Sequence, residues 1–178
     1  MNFDIRFMAD HMLIKLGKYL RIIGYDAEWD KTLRTHELIK RANAEGRVFL
    51  TRNTHLPEQY PVPDQVIMLN SADPVQQFSQ LVSQMNLDTK SRLFSKCIRC
   101  NVMLNNVIDK QEIKSQVHPN VYIRYDKFYR CPNCHTVFWK GSHVRNTSRK
   151  LGVSLSLLFV CICALDVISS LNFDCLTK

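Results

Sequence analysis

The chain has 178 residues, 46% hydrophobic and 22% charged, enough to bury a core in one domain plus a small module, and it carries no repeat or low-complexity tract. Its net charge of +8 is one-sided: residues 1–90 hold 11 basic and 11 acidic side chains, whereas residues 91–152 hold 12 and 3. That excess suits a polyanionic partner such as RNA or DNA, and seven cysteines without an N-terminal signal sequence suggest a reducing, cytoplasmic setting in which thiols bind metal.

In chain order, Phe3, Ile5 and Phe7 alternate with polar residues and predict a strand ending near Ala9. Leu13, Leu16, Leu20 and Ile23 recur at helical spacing, and Gly24 ends that helix. Ala27–Trp29 reads as a strand, Thr35–Ala44 as a helix closed by Gly46, Arg47–Thr51 as a buried strand and Val66–Leu69 as another. Asp73-Pro74 reads as an N-cap with proline in first position, opening a helix to about Met85. Strands alternating with helices predict an α/β domain over residues 1–88, with a parallel sheet covered on both faces. The polar stretch Asn86–Ser95 reads as a linker.

Sites on such sheets form at the carboxyl ends of the strands. Asp10, Asn53 and Asp73 each lie just past a predicted strand. Carboxylates there can hold Mg²⁺ or Mn²⁺, although Asp10 and Asp73 also suit the role of helix cap.

Cys97-Ile-Arg-Cys100 and Cys131-Pro-Asn-Cys134 are two Cys-x-x-Cys pairs separated by 30 residues. Four thiolates form the tetrahedral cage that structural Zn²⁺ favours, and this spacing lets both sulfurs of a knuckle reach one ion. Two redox or disulfide pairs are the alternative. Residues 93–146 therefore read as a basic zinc ribbon, in which Phe128, Tyr129, Phe138 and Trp139 supply a small core or faces for stacking on bases. His55, His118, His135 and His143 are read as polar contacts, since four cysteines already complete the coordination of zinc.

Several stretches resemble the C-terminal RNase domain of the Mut-seven proteins: Phe7-Met-Ala-Asp-His-Met-Leu13, Leu20-Arg-Ile-Ile-Gly-Tyr-Asp26 and Glu45-Gly-Arg-Val-Phe-Leu-Thr-Arg52. The likeness continues through Leu93-Phe-Ser-Lys-Cys-Ile-Arg-Cys-Asn101, Phe128-Tyr-Arg-Cys-Pro-Asn-Cys134 and Phe138-Trp-Lys-Gly-Ser-His143, and covers about residues 3–146. The resemblance implies a PIN-like nuclease fold followed by a zinc ribbon, and a metal-dependent ribonuclease acting on single-stranded RNA. Asp10 matches the family's first metal-binding aspartate. Asn53 stands where the family usually has Asp, and Glu37 matches one of a pair of acids whose other place His36 takes. Asp26 and Asp30 are candidates to compensate.

On this reading Asp10, Glu37 and Asn53 are the catalytic candidates, with Mg²⁺ or Mn²⁺ at Asp10. Cys97, Cys100, Cys131 and Cys134 hold structural Zn²⁺. Arg52, Lys96, Arg99, Arg130, Trp139, Lys140 and His143 are the candidates for RNA contact. The competing expectation is a catalytically weakened RNA-binding or ribonucleoprotein component of the same fold. Residues 150–172 form a hydrophobic tail, in which Val153–Leu165 lacks any charge. A membrane anchor, a helix packed on the body or a protein partner, and an extension from an altered reading frame all fit it.

Overall fold

Short apolar strands flanked by amphipathic helices build the first unit. β1 (Arg6–Ala9), β2 (Asp26–Glu28), β3 (Val48–Thr51) and β4 (Val66–Met68) form one sheet in the order β2-β1-β3-β4, all neighbours parallel. The computed structural model describes residues 4–56, 62–153 and 173–175, and the chain divides into two units, Met1–Asn101 and Val102–Lys178. The register pairs Ala9 with Leu50 and Thr51 with Met68, so the carboxyl ends of β1 and β3 lie side by side.

Both faces of the sheet are covered, because successive strand residues point to opposite sides. Met8 and Phe49 pack with Leu38, Ile39 and Ala42 of α2 (Thr35–Ala44) and with Leu56. Phe7 meets Tyr25 edge-on at 5.9 Å, and Tyr19 of α1 (Ile14–Ile22) meets Phe78 of α3 (Pro74–Met85) at 6.1 Å. Asp73 caps α3 by accepting from the Val75 amide at 3.2 Å, with Pro74 in the first turn, as its sequence predicts.

Two glycines are required by close approach. A Cβ on Gly17 would lie 2.8 Å from the Trp29 ring, so this turn of α1 presses directly on the indole. Gly24 has φ +90°, and a Cβ there would meet Arg92 at 2.4 Å.

The stretch expected to be a linker is folded onto this unit. Leu87 and Phe94 are buried, the Asp88 amide donates to Tyr25 Oη at 2.9 Å, and the Phe94 amide donates to the Ile22 carbonyl at 2.6 Å. The apolar residues set among its polar ones give the segment something to bury.

The second unit is an antiparallel sheet, β5 (Asn105–Asn106), β6 (Tyr129–Arg130), β7 (Val137–Lys140) and β8 (Phe173–Cys175), in that order. A 3-10 turn (Lys110–Ile113) and the short α4 (Pro119–Arg124) lie between β5 and β6, and α5 (Ser142–Leu151) follows β7. Ile113, Val117, Phe128, Val137 and Trp139 form its core. No helix among the described residues is long and apolar enough to cross a membrane. Most of the hydrophobic tail, residues 154–172, lies outside the described residues.

Candidate active site and metal centre

The carboxyl edge of the parallel sheet presents Asp10. The Asp10 amide donates to the Leu50 carbonyl at 2.9 Å, carrying the β1–β3 ladder one residue past β1. Its side chain, on a residue 4% exposed, accepts from the His11 amide at 2.7 Å and from the Thr51 hydroxyl at 2.9 Å. His11 Nδ1 lies 3.2 Å from the same carboxylate.

Thr51 is the residue that organises this edge. It is fully buried at the end of β3; its Oγ1 donates to Asp10 Oδ2 and accepts from the Asn53 amide at 3.0 Å. One hydroxyl thus ties Asp10 to the loop that carries Asn53. The Asn53 side-chain oxygen accepts from the His55 amide at 3.1 Å. Glu37 sits in the first turn of α2, where Oε2 accepts from the Arg34 amide at 2.7 Å. Arg52, between Thr51 and Asn53, is half-buried, and its Nε has no hydrogen-bond partner among the described residues.

Neither proposed substitute acid stands idle. Asp26 bonds Arg47 Nη1 and Asn101 Nδ2, each at 2.6 Å. Burial alone would raise its carboxyl, but those hydrogen bonds and the charges of Arg47 and Lys96 outweigh it and hold it below the ordinary range. Asp30 accepts from the amide and hydroxyl of Thr32 at 2.8 and 2.6 Å, a local turn contact.

The four cysteines converge. Their sulfurs lie within 4.8 Å of one another, and they are the one group of three or more His, Cys, Asp or Glu side chains among the described residues so placed. A tetrahedral Zn²⁺ with Zn–S near 2.3 Å sets sulfurs about 3.8 Å apart, so the cluster fits the ion with little adjustment. Both knuckles share one local geometry. The Cys100 amide donates to Cys97 Sγ and the Cys134 amide to Cys131 Sγ, each at 3.4 Å. The next residue in each knuckle, Asn101 (φ 61°) or His135 (φ 57°), turns left-handed and donates its amide to the first cysteine's carbonyl, at 2.9 and 3.0 Å. The Cys100 and Cys134 amides thus aim a donor at a knuckle sulfur, an arrangement suited to a metal-bound thiolate.

Arg21 fixes the first knuckle to α1 and β2. This 3% exposed guanidinium donates to the Ala27 carbonyl at 2.7 Å, to the Ile98 and Arg99 carbonyls at 3.1 and 2.9 Å, and to Glu28 at 3.3 Å. It also stacks on Trp29, 3.8 Å from the ring centroid. Asn101 adds a second clasp: its Nδ2 donates to Asp26 and to Glu28, the latter at 2.8 Å, and its Oδ1 accepts from the Ala27 amide at 3.4 Å. A sequence reading passes over Thr51, Arg21 and Asn101. The detectable signal for Asn101 is its place directly after a Cys-x-x-Cys pair, where the knuckle demands a left-handed residue.

The candidate RNA contacts occupy different environments. Arg99 and His143 are exposed, and Lys96 Nζ donates to the Asn101 carbonyl at 2.8 Å. Trp139 is 3% exposed and packs against Phe128 at 6.3 Å, while Lys140 is 2% exposed. Burial, and then the charge of Lys127, push the Lys140 amine down to about 7. Alternation along β7 leaves no solvent face, because all four of its residues are covered.

The sequence model of the Mut7-C RNAse domain family matches residues 5–151, taking in the parallel sheet, Asp10, Asn53 and both cysteine knuckles. No curated protein matches the chain.

Proposed function

Because the chain belongs to the Mut7-C RNAse domain family, we propose that it is a ribonuclease acting on single-stranded RNA, with Asp10 at the reacting centre. The observation that carries this reading is the buried Asp10 carboxylate, held by Thr51 at the carboxyl edge of a parallel sheet. Asp10, Glu37 and Asn53 offer oxygen atoms, the ligand class that hard cations take, and would hold Mg²⁺ or Mn²⁺. The ion would supply an acidified water and positive charge against the phosphoryl oxygens. Thr51 fixes the orientation of Asp10, and His11, 37% exposed in its side chain, stands beside the same carboxylate to take up or return a proton. The basic ribbon, stapled by zinc, would hold the strand. A thiol-rich metal centre suits a reducing compartment such as the cytoplasm.

A second reading, a strand-binding protein with weakened hydrolysis, draws on the hydrogen bonds that Asn53 and Glu37 already make to loop and helix amides. Asn53 also contributes no charge, which lowers affinity for a hard cation.

The test is Mn²⁺-dependent cleavage of a labelled single-stranded RNA by the full chain, beside Asp10→Ala and Asn53→Asp. Cleavage abolished by Asp10→Ala establishes the ribonuclease. RNA binding without cleavage, with activity gained in Asn53→Asp, establishes the second reading.

A further inference from the structure

The second unit contains a cleft of about 340 Å³ that the nuclease reading leaves unused. Asn105 and Asn106 of β5 and Arg130 of β6, the ladder partner of Asn105, line it together with Ile108, Glu112 and His135. Its charged groups are not satisfied by each other. Glu112 and Arg130 line one cleft, yet no ion pair joins them among the described residues, and the buried Arg130 Nε has no hydrogen-bond partner there. Arg21, Arg41 and Arg47, by contrast, each pair with a carboxylate. Ile108 is 99% exposed, an apolar surface at the mouth with nothing described to cover it.

The mixture restricts what can bind. A bare phosphate would meet the Glu112 carboxylate, and a metal ion would meet the Arg130 charge. A nucleotide satisfies both, because it carries an anionic phosphate and a flat base with N–H donors. A carboxylate is matched best by two adjacent donors on one edge, and among the four RNA bases only guanine offers them, at N1–H and N2–H₂. Asn105 and Asn106 can pair with further polar edge atoms, and Ile108 gives the base face an apolar support.

We propose that this cleft is a guanine-reading subsite for an unpaired nucleotide of single-stranded RNA, with Glu112 on the base edge and Arg130 on the backbone phosphate. The proposal rests on the RNA reading above and assigns that strand a point of sequence preference outside the reacting centre.

The experiment measures fluorescence anisotropy of the full chain, zinc-loaded, with labelled 12-nucleotide oligoadenylate strands carrying a central G, inosine or A. The central-G strand is expected to bind about tenfold more tightly than the all-A strand, inosine falling between because it lacks the N2 amine. Glu112→Gln should erase that preference, so that the central-G and all-A strands bind alike. Arg130→Gln should weaken every strand and lower the salt slope by about one. Zinc content of each variant reports whether the unit is intact; if Arg130→Gln loses zinc, exposed Glu112 still decides the matter. RNA binding without base preference, unmoved by Glu112→Gln, overturns the subsite and leaves the RNA reading standing. Failure to bind any of the strands overturns both.

Discussion

Removing the Arg21 guanidinium should loosen the first cysteine knuckle more than any surface change. Its donors serve three backbone carbonyls and one carboxylate, and Trp29 stacks on its face. Charge-assisted bonds are each worth roughly 1.5–3 kcal/mol, while the buried charge itself is costly to desolvate; losing one member of such a buried set typically costs about 3–5 kcal/mol net. Glu28 keeps its bond from Asn101, so the orphaned carboxylate is not stranded. That places Arg21→Met near the lower end, about 3 kcal/mol, and Arg21→Ala about 1 kcal/mol further down through lost packing. Urea denaturation of zinc-loaded protein gives the stability, and transfer of zinc to a chromophoric chelator gives the hold on the metal. Both should change together, with faster zinc loss in Arg21→Met than in the parent. A variant within 0.5 kcal/mol (on the order of measurement error) that releases zinc at the parental rate would refute the anchoring argument.

Three further outcomes follow from the same geometry. Gly24→Ala forces a side chain into a left-handed residue already against Arg92, and should cost about 3 kcal/mol or more; a melting temperature within a few degrees of the parent counts against the packing described. Lys140→Met should stabilise the protein by about 2 kcal/mol at neutral pH, because the buried amine binds its proton less well folded than unfolded. The gain should shrink as pH rises from about 7 towards 10 and the unfolded amine also loses its proton; a gain constant with pH speaks against a buried neutral amine. Asp26, Glu45 and Asp88 all have lowered folded pKa values, so their stabilisation is complete above the unfolded carboxylate range and drains away as pH falls through the lower folded values. Acid titration of Asp26→Asn beside the parent should show the variant losing less stability below about pH 4.

Much of the architecture is legible in one sequence because the signals are local. Helical spacing from Leu13 to Ile23, the cap-and-proline start at Asp73-Pro74 and the buried run Val48–Thr51 each report their own element. The cysteine spacing likewise announces a metal centre, since its chemistry is written in residue type and interval. Long-range partnership is not written locally. That Arg21 belongs to a knuckle 77 residues away becomes visible only when the chain has folded. Trp139 and Lys140 are candidates for RNA contact by residue type, since basic and aromatic residues are common on nucleic-acid faces, whereas all four residues of the strand that carries them are buried. Polarity in Asn86–Ser95 similarly masks two buried anchors, Leu87 and Phe94.

The clasp formed by Asn101 has a consequence for the protein as a material in the cell. β2 is the outer strand of its sheet, and an outer strand is an open template on which another chain can add. Here the Ala27 amide, which a foreign strand would capture, is engaged by a residue whose left-handed turn belongs to the cysteine knuckle. Asn101 therefore also covers part of a seam on which another chain could pair. Breaking that clasp, as Asn101→Ala would, should leave the outer edge of β2 more open to a second chain.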